Sequence, residues 1–353
     1  MPSYRTATVT SVLSERPGLV RAEVDVHGEG AHRAYAVTGL VGPLAAGDEV
    51  VLNTTAVELG LGTGGWHVVH WNLTRGGFAQ PGPGHIMKLR YTSLQADTGA
   101  AEELQADVLA DAREIGGMPV VVGGLHSQVP SVAVALAAAA GSDLRVAYVM
   151  TDGGALPLAL SELVPAMVRA RLIIGTVTAG HAFGGDHEAV NVPSALAVAR
   201  HVLGADVAIV AMGPGSVGTG TALGYSALEV APVLDAAAHL GGRPVAVCRF
   251  SLGDERPRHQ GVSHHTTTAL RLAGAAPVTI GIPEGPNAGR VRSDLAAAGL
   301  IERHRLVDVP DPGIPELLSA SGLAVTTMGR GPAEDPAAFS VAGAAGTVAA
   351  TLL

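Results

Sequence analysis

The stretch V-A-I-V-A-M-G-P-G-S-V-G, residues 207–218, sets an unbroken apolar run directly against a glycine-rich turn. A strand with no polar face must be covered on both sides, and strands of that kind belong to parallel sheets. The same grammar recurs at residues 119–122, 144–150, 172–177, 244–248, 278–282 and 306–309. Segments rich in Ala and Leu lie between these runs, at 130–140, 156–169, 193–202 and 227–240, and read as helices. Strand alternating with helix predicts an α/β domain over residues 100–353: a Rossmann-like, doubly wound, mostly parallel sheet. A closed barrel of strand–helix units is the alternative, since seven or eight units are in range. No repeat is strict enough for a solenoid.

Residues 1–76 are different. Short alternating or β-branched runs at 6–12, 19–26, 33–37, 49–52 and 66–71 are punctuated by Gly, Pro and Asp. Short strands at this spacing predict a small β-barrel, read as a capping or oligomerisation module or as a ligand-binding barrel. Residues 77–99 are expected to be a linker with an entry strand at 86–94, followed by a helix over 100–115.

Composition bounds the function. The chain has 353 residues, 48% apolar and 15% charged, so it should pack one large or two ordinary cores. A net charge of −9 argues against nucleic acid as the main partner. Lys88 is the sole lysine, which excludes a Walker-type phosphate loop in the glycine-rich segments. Cys248 is the sole cysteine, so thiolate-rich metal sites are excluded and any metal must be held by His, Asp or Glu. Without an apolar leader or a run long enough to span a bilayer, a cytoplasmic protein is expected, without membrane contact and as a homo-oligomer.

In parallel sheets ligands bind beyond the carboxyl ends of the strands. Five successive predicted strands end in chemistry-bearing segments. The first leads to G-G-L-H-S-Q with His126, and the second to T-D-G-G-A-L-P with Asp152. The third leads to a loop holding His181, Asp186 and His187, and the fourth to Gly213, Gly215, Ser216, Gly218 and Gly220. The fifth leads to D-E-R-P-R-H-Q-G-V-S-H-H-T, with Arg256, Arg258, His259, His264 and His265. Single residues have plainer uses: His126 can satisfy a core hydrogen bond, and Asp152 can form a turn. Together they predict one site at one edge of one sheet.

Imidazoles with carboxylates suit a divalent Zn or Mn, and His181, Asp186 and His187 could hold one ion from a single loop. The cofactor stays undetermined, because no spacing matches an established metal signature and a metal-free site works as well. There His126, Asp152, His259, His264 and His265 carry the acid–base steps. Arg256 and Arg258 would bind an anion through the planar guanidinium fork, and the loop 213–220 would cradle it. Gly213, Gly215 and Gly218 also spell G-x-G-x-x-G. An acidic residue should end the next strand, but Arg249 stands there, which suits a 2′-phosphate.

The runs G-P-G-S-V-G-T-G-T, D-G-G-A-L-P, G-H-A-F-G-G-D and R-H-Q-G-V-S-H-H-T together resemble an uncharacterised bacterial family known only as a domain of unknown function. The resemblance covers nearly the whole chain and implies no activity, substrate or cofactor. Three readings follow from the residues. The first is a hydrolase-like enzyme acting on a small anionic or phosphorylated metabolite. The second is an NADP-dependent oxidoreductase using Gly213–Gly218 and Arg249. The third is a non-catalytic metabolite sensor or scaffold.

Overall fold

Alternation closes the first element group into a barrel. The strands are β1 (Tyr4–Arg16), β2 (Leu19–Val26), β3 (Gly30–Val37), β4 (Glu49–Asn53) and β5 (Trp66–Asn72), and they form a closed barrel in the order β1-β2-β3-β5-β4. In β2 the alternate residues Val20, Ala22, Val24 and Val26 are buried inside while Glu23 and Asp25 face out. Register shifts in β1, between Val9 and Ser11 and between Val12 and Ser14, bend that strand so that it can pair with both β2 and β4.

The computed structural model describes residues 2–353, which fall into two compact units divided between Asp97 and Thr98. The expected entry strand at 86–94 shrinks to a two-residue strand β6 (Met87–Lys88), paired with β7 (Ala96–Asp97). Leu89 and Tyr91 adopt φ of 51° and 60°, which no extended strand can contain. The helix expected over 100–115 is two single turns, Ala101–Leu104 and Ala106–Leu109, interrupted where Gln105 leaves helical geometry.

The second unit is built on an eight-stranded sheet, parallel throughout. Its strands are β8 (Pro119–Val122), β9 (Val146–Thr151), β10 (Gly175–Ala179), β11 (His187–Ala189), β12 (Val207–Met212), β13 (Arg243–Ala246), β16 (Thr279–Pro283) and β17 (Arg305–Val309). A hairpin of β14 (Phe250–Ser251) and β15 (Gly261–Val262) stands apart from it. The sheet order is β11-β10-β9-β12-β8-β13-β16-β17, so the sheet is open and the closed-barrel alternative falls.

Helices cover both faces. Val120 and Val122 of β8 join one apolar cluster, which includes helix Val230–His239, while Val121 joins another, which includes helices Val129–Ala140 and Pro336–Ala350. Strand β12 divides the same way, Ala208 and Val210 against Ile209 and Ala211. That alternation is why the strands read as continuous apolar runs. Among the described residues no helix is long and apolar enough to cross a membrane.

Candidate functional site

Because the sheet is parallel, all its carboxyl ends lie on one edge. The chain leaves β8 for one face and both its neighbours, β12 and β13, for the other, which parts the connections at the carboxyl end of β8. From β13 it runs through Arg249 into the β14–β15 hairpin and then into helix His264–Leu272. Ser263 caps that helix, its Oγ accepting from the His265 amide at 3.2 Å. The cap places His264 and His265 on the first turn, and the hairpin loop brings back His259 on a short turn, Pro257–His259.

The three rings pack as one cluster. Centroids lie 4.4 Å apart for His264–His265, 4.8 Å for His259–His265 and 5.0 Å for His259–His264. One ring nitrogen from each lies within 4.8 Å of the others, the one grouping among the described residues with the makings of a metal site. Tyr225, from the loop after β12, stacks on His265 at 3.8 Å with its ring nearly parallel.

Burial, then the Arg249 charge, pushes His259 down to about 4 and His265 to about 3; burial and Arg258 lower His264. All three are therefore neutral at pH 7. Nη1 of Arg249 donates to Nδ1 of His265 at 3.1 Å, which fixes His265 as the Nε2–H tautomer. Nδ1 of His259 lies 2.7 Å from the Ser263 hydroxyl, and Arg258 Nε approaches its Nε2 at 3.4 Å. With a donor on Nε2, the ring hydrogen belongs on Nδ1, pointing at Ser263. Nε2 of His264 is out of solvent and has no hydrogen-bond partner among the described residues.

The arginines divide differently from expectation. Arg256 spends its fork on Asp254, at 2.9 and 2.8 Å, and holds that carboxyl far below its ordinary range. It is the counter-ion of Asp254, with two of its nitrogens committed there and its side chain 42% exposed. Arg258 is exposed beside His259. The buried cation is Arg249, pushed down to about 10 by burial and then by Arg256. It lines one cavity with Gly124, His265 and Thr266 and another with Ser127, Gln128 and Ser131. The end of β8 thus reaches the site through Gly124 and Ser127.

Other expected members lie elsewhere. His126 is buried in the core, its Nδ1 2.9 Å from the Tyr148 hydroxyl and its Nε2 2.7 Å from Ser161. Both nitrogens are engaged, so its contacts are those of a core hydrogen-bonding residue. Asp152 accepts from the His181 amide at 2.9 Å, tying the turn after β9 to the turn after β10. Asp186 accepts from the amide and hydroxyl of Thr176, both at 2.8 Å, and His187 opens edge strand β11. His181, Asp186 and His187 do not converge on a common point for a metal, which corrects the single-loop expectation.

The glycine loop is not a dinucleotide turn. Gly218 bridges to Tyr225, and no α-helix begins until Val230. Within 213–220 the amides of Val217 and Thr219 are bonded inside the loop, to the Ser226 hydroxyl and the Gly224 carbonyl. Gly213 is needed for close approach, since a Cβ there would fall on the Ala155 carbonyl. Gly215 takes φ 86°, while Ser216 and Gly220 are exposed.

Sequence reasoning missed four participants. Tyr225 carried no signal. Ser263 did, as a serine directly before the helix start. Arg330 and Asp335 come from far along the chain: Arg330 lies 3.6 Å from Asp254, and Asp335 accepts from the Ser251 hydroxyl. Glu229 also stands out. Burial and nearby Asp152 raise it to about 7, although the Thr151 hydroxyl, bonded to it, acts the other way.

Fold and site together define an α/β protein with a histidine–arginine centre at the carboxyl edge of a parallel sheet, on a chain that begins with a small barrel. The chain belongs to the family described as Protein of unknown function (DUF3866), whose profile matches residues 33–346. No curated protein and no solved structure matches it.

Proposed function

We propose that this chain is a hydrolase-like enzyme acting on a small anionic metabolite, with His259, His264 and His265 as its reaction centre. We further propose that the parallel sheet is a Rossmann-like, doubly wound domain whose crevice, beside β8, receives the substrate. The observation that carries the reading is the convergence of three neutral imidazoles next to a buried arginine. Apolar packing gives no reason to gather such groups at a strand end.

His259 suits the general base. Ser263 holds its Nδ1, the relation by which a third group orients a catalytic histidine, and the donor now on its Nε2, from the exposed Arg258 side chain at 3.4 Å, has to swing aside for a water to reach that lone pair. In the step, Nε2 removes a proton from a water molecule and the water oxygen bonds to the substrate's electrophilic centre. The ester bond breaks, and the leaving oxygen takes the proton back from His259. Arg249 stabilises the negative charge of the substrate.

A divalent metal held by the trio is the second reading, favoured by the 4.8 Å clustering of the ligand atoms. Against it stands the Arg249 donor, which already occupies Nδ1 of His265.

The test is turnover by untagged protein on a panel of small phosphate and carboxylate esters, for wild type and for His259→Gln. Wild type should turn over at least one class, and the variant should lose roughly a hundredfold or more. Turnover that survives in the variant, or a panel with no turnover, counts against the reading. Loss on chelation, restored by Zn or Mn, would select the metal version.

A further inference from the structure

We infer that the group gripped at this centre is a tetrahedral oxyanion, the phosphoryl group of a small phosphate ester, bound by Nη2 of Arg249, Nε2 of His264 and the His264 amide at the start of helix His264–Leu272. This rests on the proposed reaction centre and names its substrate class.

Arg249 is 9% exposed and its Nη2 has no hydrogen-bond acceptor among the described residues. The nearest carboxylate oxygen, on Asp254, lies 3.9 Å away, too far for a hydrogen bond. Leaving a buried guanidinium N–H unpaired is costly, so an acceptor from outside the chain is called for. His264 repeats the pattern with its own buried, unpartnered Nε2. The two unpartnered nitrogens belong to one place, because Arg249 bonds to His265, whose ring lies 4.4 Å from that of His264, and an oxyanion there would select the Nε2–H tautomer of His264. Both histidines stand on the first turn of a nine-residue helix, where the backbone dipole favours an anion.

Asp254 cannot serve as that anion, since Arg256 takes both its oxygens and the Arg256 amide donates to it as well. The surrounding charge asks for more than one negative unit. Four arginines, Arg249, Arg256, Arg258 and Arg330, gather here against two carboxylates, Asp254 and the Asp335 that faces Arg330. Geometry separates phosphate from carboxylate. A carboxylate is best held by two coplanar N–H groups of one guanidinium fork. The Arg249 fork is already split, one nitrogen being bound to His265. The amides of His265, Thr266 and Thr267 are bonded to Ser263, so the donors that remain come from a guanidinium, an imidazole and the His264 amide, three separate groups that suit a tetrahedral ligand.

The experiment is calorimetric titration of untagged, full-length protein with inorganic phosphate, and with acetate at matched ionic strength. It is run on wild type, Arg249→Met and His264→Gln, each checked for folding by circular dichroism. Phosphate should bind at one site, and each folded variant should bind it about tenfold or more weakly. Acetate should bind far more weakly than phosphate. If Arg249→Met fails to fold, His264→Gln decides. The inference is overturned if wild type takes up no phosphate, if acetate binds as well, or if a folded variant binds phosphate as wild type does. Phosphate uptake without turnover of any ester would uphold the site and sink the enzyme reading. Turnover without phosphate uptake would do the reverse.

Discussion

His126 and His264 carry the same side chain into opposite situations. Tyr148 and Ser161 occupy both nitrogens of His126, whereas Nε2 of His264 is buried without a partner. The sequence brought out both as histidines after strands and had no means of ranking them, because partners contributed by Tyr148 and Ser161 are set by tertiary packing. Arg249 was misplaced for the same reason: its local neighbours suggested a ribose phosphate, and only the fold puts it against His265. Burial pushes His126 down to about 4 from an ordinary 6.5. The unfolded chain therefore gains its proton first on acidification. This contribution to stability is complete above pH 6.5 and falls as pH drops from 6.5 to 4, by on the order of 3 kcal/mol. Denaturant titrations of wild type and His126→Gln at pH 7 and pH 5 check it. The variant should be less stable at pH 7 by about 1–3 kcal/mol and should lose less on going to pH 5. An equal loss in both proteins would show that His126 titrates normally.

Elements were legible where burial was complete on both faces. Strands β8 and β12 were read with their observed bounds, since a fully apolar run between glycine turns admits few other structures. Short pieces were not legible. The loop read as a metal ligand set contains β11, a three-residue edge strand pairing His187 with Val177, and such a strand has too few residues to show a period. The helix Pro336–Ala350 escaped notice because it is apolar nearly all round and lacks the stripe of a surface helix. It packs through its glycines: a Cβ on Gly346 would fall on the Val132 carbonyl, and one on Gly343 would meet Ile314. Gly346→Val should therefore lower unfolding free energy by roughly 1–3 kcal/mol in urea. An unchanged midpoint would mean that this helix sits farther from helix Val129–Ala140.

At the scale of the whole molecule, composition and alternation were enough to expect a barrel followed by a parallel α/β sheet, and the structure bears out that order. The strand sequence β11-β10-β9-β12-β8-β13-β16-β17 was beyond reach, because local residues do not encode which way a crossover turns back. That order explains how the expected site divided. Strands β12, β8 and β13 are neighbours, and their ends supply Tyr225, Gly124 and the histidine hairpin, while the ends of β9 and β10 bond to each other through Asp152 and His181. The account therefore depends on what occupies the space between Arg249 and His264. A crystal structure of the full chain grown with tungstate, an electron-dense phosphate analogue, examines that space directly. It should show one tetrahedral oxyanion in hydrogen-bond contact with Nη2 of Arg249 and Nε2 of His264. A metal ion ligated by His259, His264 and His265, or a chain group satisfying both donors, would contradict it.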